Sequence, residues 1–308
     1  MTTTAPRRTA AAPAPPGRLR GLVRTCRPRQ WVKNLLVLAA PAAAGVLGRP
    51  SAVLDVVLAF VAFCLAASGT YLVNDARDAV ADRVHPRKRS RPVAAGVVPV
   101  GLAYALGVAF LVLGVALSLL TGGWELAAVI AAYVALTTAY SLWLKHLAIV
   151  DLVSVAAGFV LRAVAGAAAV HVEVSSWFLT VATLGSLFVV AGKREAELRN
   201  AGLANPELGG SRLTLRSYTR EFLGYVRATT SGALLVAYCL WAFELHEGLS
   251  KVAFGLSIVP FAVGILRYAM LVDGGSGEAP EEIVFDDRML LVSGLLVVAC
   301  LGVGVYAF

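Results

Sequence analysis

The chain has 308 residues, of which 58% are hydrophobic and 15% charged, and it carries a net charge of +8; its mean hydropathy is +0.76. This excludes an ordinary soluble domain and predicts an all-α integral membrane protein. The positive charge calls for no nucleic acid, because anionic membrane lipids account for it. Four scattered cysteines, Cys26, Cys64, Cys239 and Cys300, lack metal-binding spacing and read as small apolar packing residues.

In chain order, residues 1–26 read as a disordered basic tail, and 27–308 as one transmembrane catalytic domain. The first residues lack the apolar core of a cleavable signal, and Arg7-Arg8 is followed only by Ala, Pro and Thr. A spanning helix needs roughly 20 apolar residues. Nine stretches qualify or nearly do, at about 30–47, 53–73, 99–120, 124–142, 147–170, 176–192, 222–244, 250–271 and 289–307. They predict nine transmembrane helices around a central cavity. With a cytoplasmic N-terminus, the inside segments hold almost all 27 Lys and Arg residues. Arg49 and Lys251 alone fall in outside loops. The positive-inside rule then puts the N-terminus in and the C-terminus out. Apolar outer faces would also suit a homo-oligomer.

Polar residues gather at the predicted cytoplasmic ends, so the cavity is expected to open to the cytoplasm. The first helix opens with Gln30, Lys33 and Asn34, which share an α-helical face or anchor the interface beside Trp31. The second ends in Asn74, Asp75, Asp78 and Asp82. At about 100° per residue Asn74, Asp78 and Asp82 form one stripe, with Asp75 within a quarter turn. Acids on one face repel unless a cation lies between them, so the motif points to a hard metal. A basic run follows, including Arg83, His85, Lys88, Arg89 and Arg91, suited to phosphate, or equally to topology alone. Arg77 lies within the acidic motif and is a further phosphate candidate. Beyond it come Tyr140, Lys145 and Asp151, then Lys193, Arg194, Glu195 and Glu197 at the sixth helix.

Arg162 lies deep in the fifth helix, three turns plus about 20° from Asp151, so the two share a face. An arginine at that depth costs about 2.5–3.5 kcal/mol unless it meets water or an anion. A structural pair with a carboxylate and a phosphate ligand are equally good readings. His146, His171 and His246 have no partner by spacing. Loop 201–218 is long enough for a lid, and the Gly-rich acidic loop around 272–288 reads as a cap or connector.

At these residues the chain resembles the UbiA-type intramembrane prenyltransferase superfamily, from Arg27 to about Arg288. The resemblance implies nine helices around a cavity and a diphosphate held through Mg2+ by two Asp-rich motifs. Asn74, Asp75, Asp78 and Asp82 match the first; Lys193-Arg194-Glu195-Ala196-Glu197 stands where the second would be, with cations for part of the acid. Residues 27–34, 74–96, 140–166, 191–198 and 277–288 resemble the decaprenyl-phosphate phosphoribosyltransferase branch. That branch transfers 5-phosphoribose from phosphoribosyl diphosphate to a polyprenyl phosphate in the bacterial plasma membrane, for cell-wall arabinan synthesis. Two anionic substrates fit the surplus of cations.

The resemblance implies that Asp75, Asp78 and Asp82, with Asn74, grip Mg2+ and the diphosphate. Lys33, Arg77, Lys88, Arg89, Arg91, Tyr140, Lys145, Lys193, Arg194 and Glu197 are expected to serve the donor's phosphates, and Gln30, Asn34, Asp151 and Arg162 the acceptor or the pocket wall. The rivals are an orthodox prenyltransferase, which the altered second motif disfavours, and an anionic-metabolite transporter, which would keep its charges near the midplane between broken helices.

Overall fold

A computed structural model describes residues 17–86, 88–121, 123–203, 213–244 and 247–307, and the fold is helical throughout them. The order is α1 (Arg18–Cys26), a 3₁₀ segment (Pro28–Leu38), α2 (Ala39–Ala43), α3 (Pro50–Arg77), α4 (Ala79–Val84), α5 (Val100–Ser118), α6 (Glu125–Leu142), α7 (Val150–Ala169), α8 (Ser176–Leu203), α9 (Arg220–Glu244), α10 (Gly248–Asp273), α11 (Pro280–Asp286) and α12 (Arg288–Tyr306). Proline opens α3 and α11 at the first turn, where its missing N–H costs nothing. The Asp287 carboxylate caps α12, accepting from Leu290 N at 3.0 Å.

Eight of these helices are long and apolar enough to cross a membrane: α3, α5 with its extension to Thr121, α6, α7, α8, α9, α10 and α12. The remaining predicted stretch, 30–47, the first in the chain, is not a regular α-helix. Its 3₁₀ coil passes into short α2, and two contacts hold it in place. Gly166 of α7 has no Cβ, and one placed there would collide with the Val37 carbonyl oxygen. Arg162 donates to Asn34 Oδ1 at 2.8 Å. At the far end Leu47 N donates to Tyr306 Oη at 3.3 Å.

The predicted disordered tail is corrected over its last residues, since Arg18–Cys26 is helical. Gly21 brings α1 against Val97 and Val98, and Leu22 and Cys26 pack on the Leu72–Val93–Val98 cluster. Basic composition concealed this small apolar face. Residues 1–16 lie outside the described residues, as does 204–212 of the predicted lid.

One core cluster joins the 3₁₀ segment, α3, α6 and α7 around Phe63, Leu126, Ile130 and Tyr133. Another joins α8, α9, α10 and α12 around Phe188, Leu234, Tyr268 and Leu290. α3 and α5 approach closely at Gly69 and Gly107, where a Cβ on Gly69 would lie 2.7 Å from the Gly107 carbonyl oxygen. The outward faces expose Val112, Leu266 and Val298, as a lipid solvent requires. Charged pairs tie the helix ends of the second half together. Arg227 of α9 reaches Glu195 of α8 at 3.1 Å and Asp273 of α10, while Arg267 of α10 holds Asp287 at 2.7 Å.

Candidate functional site

The acidic motif lies where α3 stops. Asp78 leaves helical geometry (φ −87°, ψ 2°), so α3 ends at Arg77 and α4 begins at Ala79. The single helical stripe expected of Asn74, Asp78 and Asp82 is therefore interrupted. Asp75 and Asp82, each only 3% exposed, converge instead. Arg91 Nη1 lies 3.2 Å from Asp75 Oδ1 and 2.8 Å from Asp82 Oδ2. Arg27 adds a contact to Asp75 at 2.9 Å, and Lys88 stands 3.8 Å from Asp82. Arg77 spans Asp78 at 3.1 Å and the Ser141 carbonyl at 3.3 Å. Asn74 donates to Ser141 Oγ at 3.0 Å, tying α3 to α6. Arg89 stays exposed.

Among the described residues no three His, Cys, Asp or Glu side chains converge as a ready metal site. The donor set still suits Mg2+, which takes oxygen ligands and keeps several waters. Arg91 acts as the stand-in here, since one nitrogen already bridges the two buried carboxylates.

A second cluster forms between α6, α7 and α8. Arg194, 1% exposed, grips fully buried Asp151 through Nε at 2.8 Å and Nη2 at 2.9 Å, and its Nη1 meets Glu197 at 2.7 Å. Tyr140 Oη donates to Asp151 at 2.8 Å and accepts from Arg194 at 3.1 Å. This bidentate pair is satisfied on both sides, as a buried ion pair must be. Lys145 follows Tyr140, and its carbonyl accepts from Thr214 Oγ1 at 3.0 Å.

The 3₁₀ segment separates residues expected together. At three residues per turn Gln30 and Lys33 stack and hydrogen-bond, whereas Asn34 turns into the bundle. Lys33 Nζ meets Glu281 of α11 at 3.0 Å, and Glu281, Glu197 and Lys33 are charges acting on Lys193. Burial pushes the Glu281 carboxyl up, but Lys33 and the other donors outweigh it and hold the group below its ordinary value. Arg162 has no carboxylate partner among the described residues. Its donors go to Asn34 Oδ1, Gly158 O (2.6 Å) and Tyr133 Oη (2.8 Å), with the Tyr133 ring centroid 4.7 Å away. The guanidinium is thus spent on neutral oxygens.

Below Lys33 and Glu281 runs an apolar cavity of about 680 Å³, walled by Phe159, Phe178, Phe261, Val284 and Val297 among others. Sequence reasoning missed Arg27 as the partner of Asp75, Ser141, Tyr133, Glu281 as the partner of Lys33, and Tyr218, which accepts from Ile149 N at 2.7 Å. Of these, Glu281 lies in the acidic loop expected to be a cap or connector, and Tyr218 ends the loop expected to be a lid.

The model of the UbiA prenyltransferase family matches residues 35–294. A decaprenyl-phosphate phosphoribosyltransferase of Mycobacterium tuberculosis is 47% identical over 300 residues, with 94% of this chain and 96% of that one covered. One of Corynebacterium glutamicum is 46% identical over 292 residues, covering 93% and 87%. Among solved structures, a UbiA homolog from Archaeoglobus fulgidus bound to GPP and Mg2+ superposes with a TM-score of 0.70 at 18% identity, over 94% of this chain and all of that one. At that identity the likeness speaks for the fold alone.

Proposed function

This chain belongs to the UbiA prenyltransferase family, and we propose that it is a multi-pass membrane enzyme transferring 5-phosphoribose from phosphoribosyl diphosphate to decaprenyl phosphate. The observation that carries this reading is the 46–47% identity, over more than nine-tenths of the chain, to two decaprenyl-phosphate phosphoribosyltransferases. The site chemistry agrees, because Arg194 and Lys193 stand where an ordinary prenyltransferase would carry more acid.

Asn74, Asp75, Asp78 and Asp82 would hold Mg2+, which when bound neutralises the departing diphosphate. Arg91, Arg27 and Lys88 are half-exposed cations resting on buried acids, so they are free to turn to the donor's phosphates as these arrive. Lys33, which lines the apolar cavity, and Lys193, on which Lys33 and Glu281 act, would draw the acceptor phosphate there. The end of its tail nearest the phosphate would lie in the 680 Å³ cavity. A lipid phosphate oxygen attacks ribose C1, and the bond from C1 to the diphosphate oxygen breaks with its electron pair leaving on the diphosphate. The nucleophile is already anionic, so no general base is required. Arg162 serves the architecture, pinning Asn34 and the 3₁₀ segment.

That segment also supports a ninth crossing. Eleven 3₁₀ residues rise roughly 22 Å, and α2 adds about 7.5 Å. Lys33 meets Glu281 just before α12 begins, and Leu47 meets Tyr306 where α12 ends. Nine crossings agree with the positive-inside reading, with the N-terminus and the site on the cytoplasmic face.

The test incubates purified protein with Mg2+, labelled phosphoribosyl diphosphate and decaprenyl phosphate. Label is expected in the organic phase; none there, with turnover of an added prenyl diphosphate, would make the chain an orthodox prenyltransferase.

A further inference from the structure

Between α6 and α7 the backbone adopts a turn that its sequence does not favour. Ile149 has φ 68° and ψ −52°, and Val150 N donates back to Ala148 O at 2.8 Å. This is the positive-φ form of the γ-turn, rare and strained. A β-branched residue at positive φ is an outlier, whereas glycine adopts it freely. Such geometry persists only where the surroundings over-determine it, and it gathers at functional sites.

The surroundings here are one short strap, Thr214 to Tyr218, at the end of loop 201–218. Tyr218 Oη accepts the Ile149 N–H at 2.7 Å, and Thr214 Oγ1 donates to the Lys145 carbonyl at 3.0 Å. Both strap residues are buried. The Tyr218 ring stacks on Phe222, 6.0 Å between centroids and 3° between planes. Burial pushes the Tyr218 phenol above its ordinary value, so it stays protonated at neutral pH. Two residues beyond the turn stands Asp151, its N–H donating to Leu147 O at 2.9 Å and its carboxylate held by Arg194 and Tyr140. The turn fixes the backbone of Asp151 while Arg194 fixes its side chain.

We propose that Tyr218 is a positioning residue for the transfer reaction: by holding Ile149 in the γ-turn it sets the first turn of α7, and so the Asp151–Arg194–Glu197 cluster, which through Tyr140 adjoins the Ser141 that binds Asn74 and Arg77 of the acidic motif. This rests on the phosphoribosyl-transfer reading above. Without the hydroxyl, Ile149 relaxes toward negative φ, the first turn of α7 rotates, and donor binding weakens while the lipid cavity keeps its shape.

The test is Tyr218→Phe, which keeps the ring stack and removes one oxygen. The KM for phosphoribosyl diphosphate is expected to rise by about tenfold, the loss of one hydrogen bond, with the KM for decaprenyl phosphate unchanged and the melting temperature no lower. Adding Ile149→Gly, which takes positive φ unaided, is expected to return the donor KM to within about threefold of wild type. An unchanged donor KM in Tyr218→Phe, an equal rise for both substrates with a lower melting temperature, or a folded double variant with no recovery would each overturn the positioning role. A folded wild type that transfers no phosphoribose would instead refute the functional reading, and the positioning role with it.

Discussion

The two charged clusters at the mouth of the bundle are built in opposite ways. At Asp75 and Asp82 the acids are buried, 4% exposed at the side chain, and their cations stand out in the open: Arg27 at 33%, Arg91 at 31% and Lys88 at 43%. At Asp151 the cation is buried with the acid, Arg194 at 2% and Asp151 at 1%. A half-exposed cation loses little when it swings away, because water takes over its solvation, and the acids that Arg91 leaves keep Arg27 and Lys88 beside them. A buried, bidentate one is released only at the cost of stranding a charge. The first cluster is therefore exchangeable and suited to meeting a metal–diphosphate; the second is a fixed frame.

The largest effect expected from this contrast is on folding. Arg194→Met takes the guanidinium away from the buried Asp151 carboxylate and should cost about 3–5 kcal/mol, read as a lowered melting temperature in detergent. Arg91→Gln should lower the melting temperature less than Arg194→Met, because Arg27 and Lys88 still face the two buried acids, and it should act on metal affinity. With the stand-in cation gone, Mn2+ should bind without donor about tenfold more tightly than in wild type, roughly 1.4 kcal/mol, by electron paramagnetic resonance. If Arg91→Gln unfolds the protein and Arg194→Met does not, the contrast is reversed.

A pH experiment extends the comparison to the ties outside the mouth. Hydrogen bonding from Arg267, with the Leu290 N–H, holds the Asp287 carboxyl below its ordinary value. A depressed folded pKa stabilises above the unfolded value, about 3.9, and that contribution is lost as pH falls through the folded value. Asp287→Asn should therefore melt below wild type at neutral pH, with the gap closing on acidification below about pH 4; a gap independent of pH would contradict the ion pair. The smallest effect belongs to Lys88→Met, within about 1 kcal/mol of stability, because its contact to Asp82 is long and exposed.

Most of the helices could be read from apolar runs, and the Asn74–Asp82 motif from its acids, since both signals are local. Where the structure departs, the cause is a partner distant in sequence. The first stretch reads as an α-helix by length, but Gly166 and Arg162 of α7 hold it as a 3₁₀ coil. Helical spacing put Asp78 in line with Asn74 and Asp82, yet the chain breaks at Asp78 and Arg91 draws Asp75 and Asp82 together. Arg162 is expected to need water or an anion, and its hydrogen bonds go to neutral oxygens of Asn34, Tyr133 and Gly158. Tyr218 could be read only as the end of an expected lid, because a lone tyrosine in a loop has no period and its partner lies 69 residues away.

Phosphoribosyl transfer is proposed to depend on the acids of the exchangeable cluster. The most direct measurement is label transfer from phosphoribosyl diphosphate to decaprenyl phosphate by wild type and Asp75→Asn, at equal amounts of folded protein. Wild type should label the lipid, and Asp75→Asn should fall by about 10²–10³-fold at an unchanged melting temperature. Full activity in Asp75→Asn, or a folded wild type that leaves the lipid unlabelled, would contradict it.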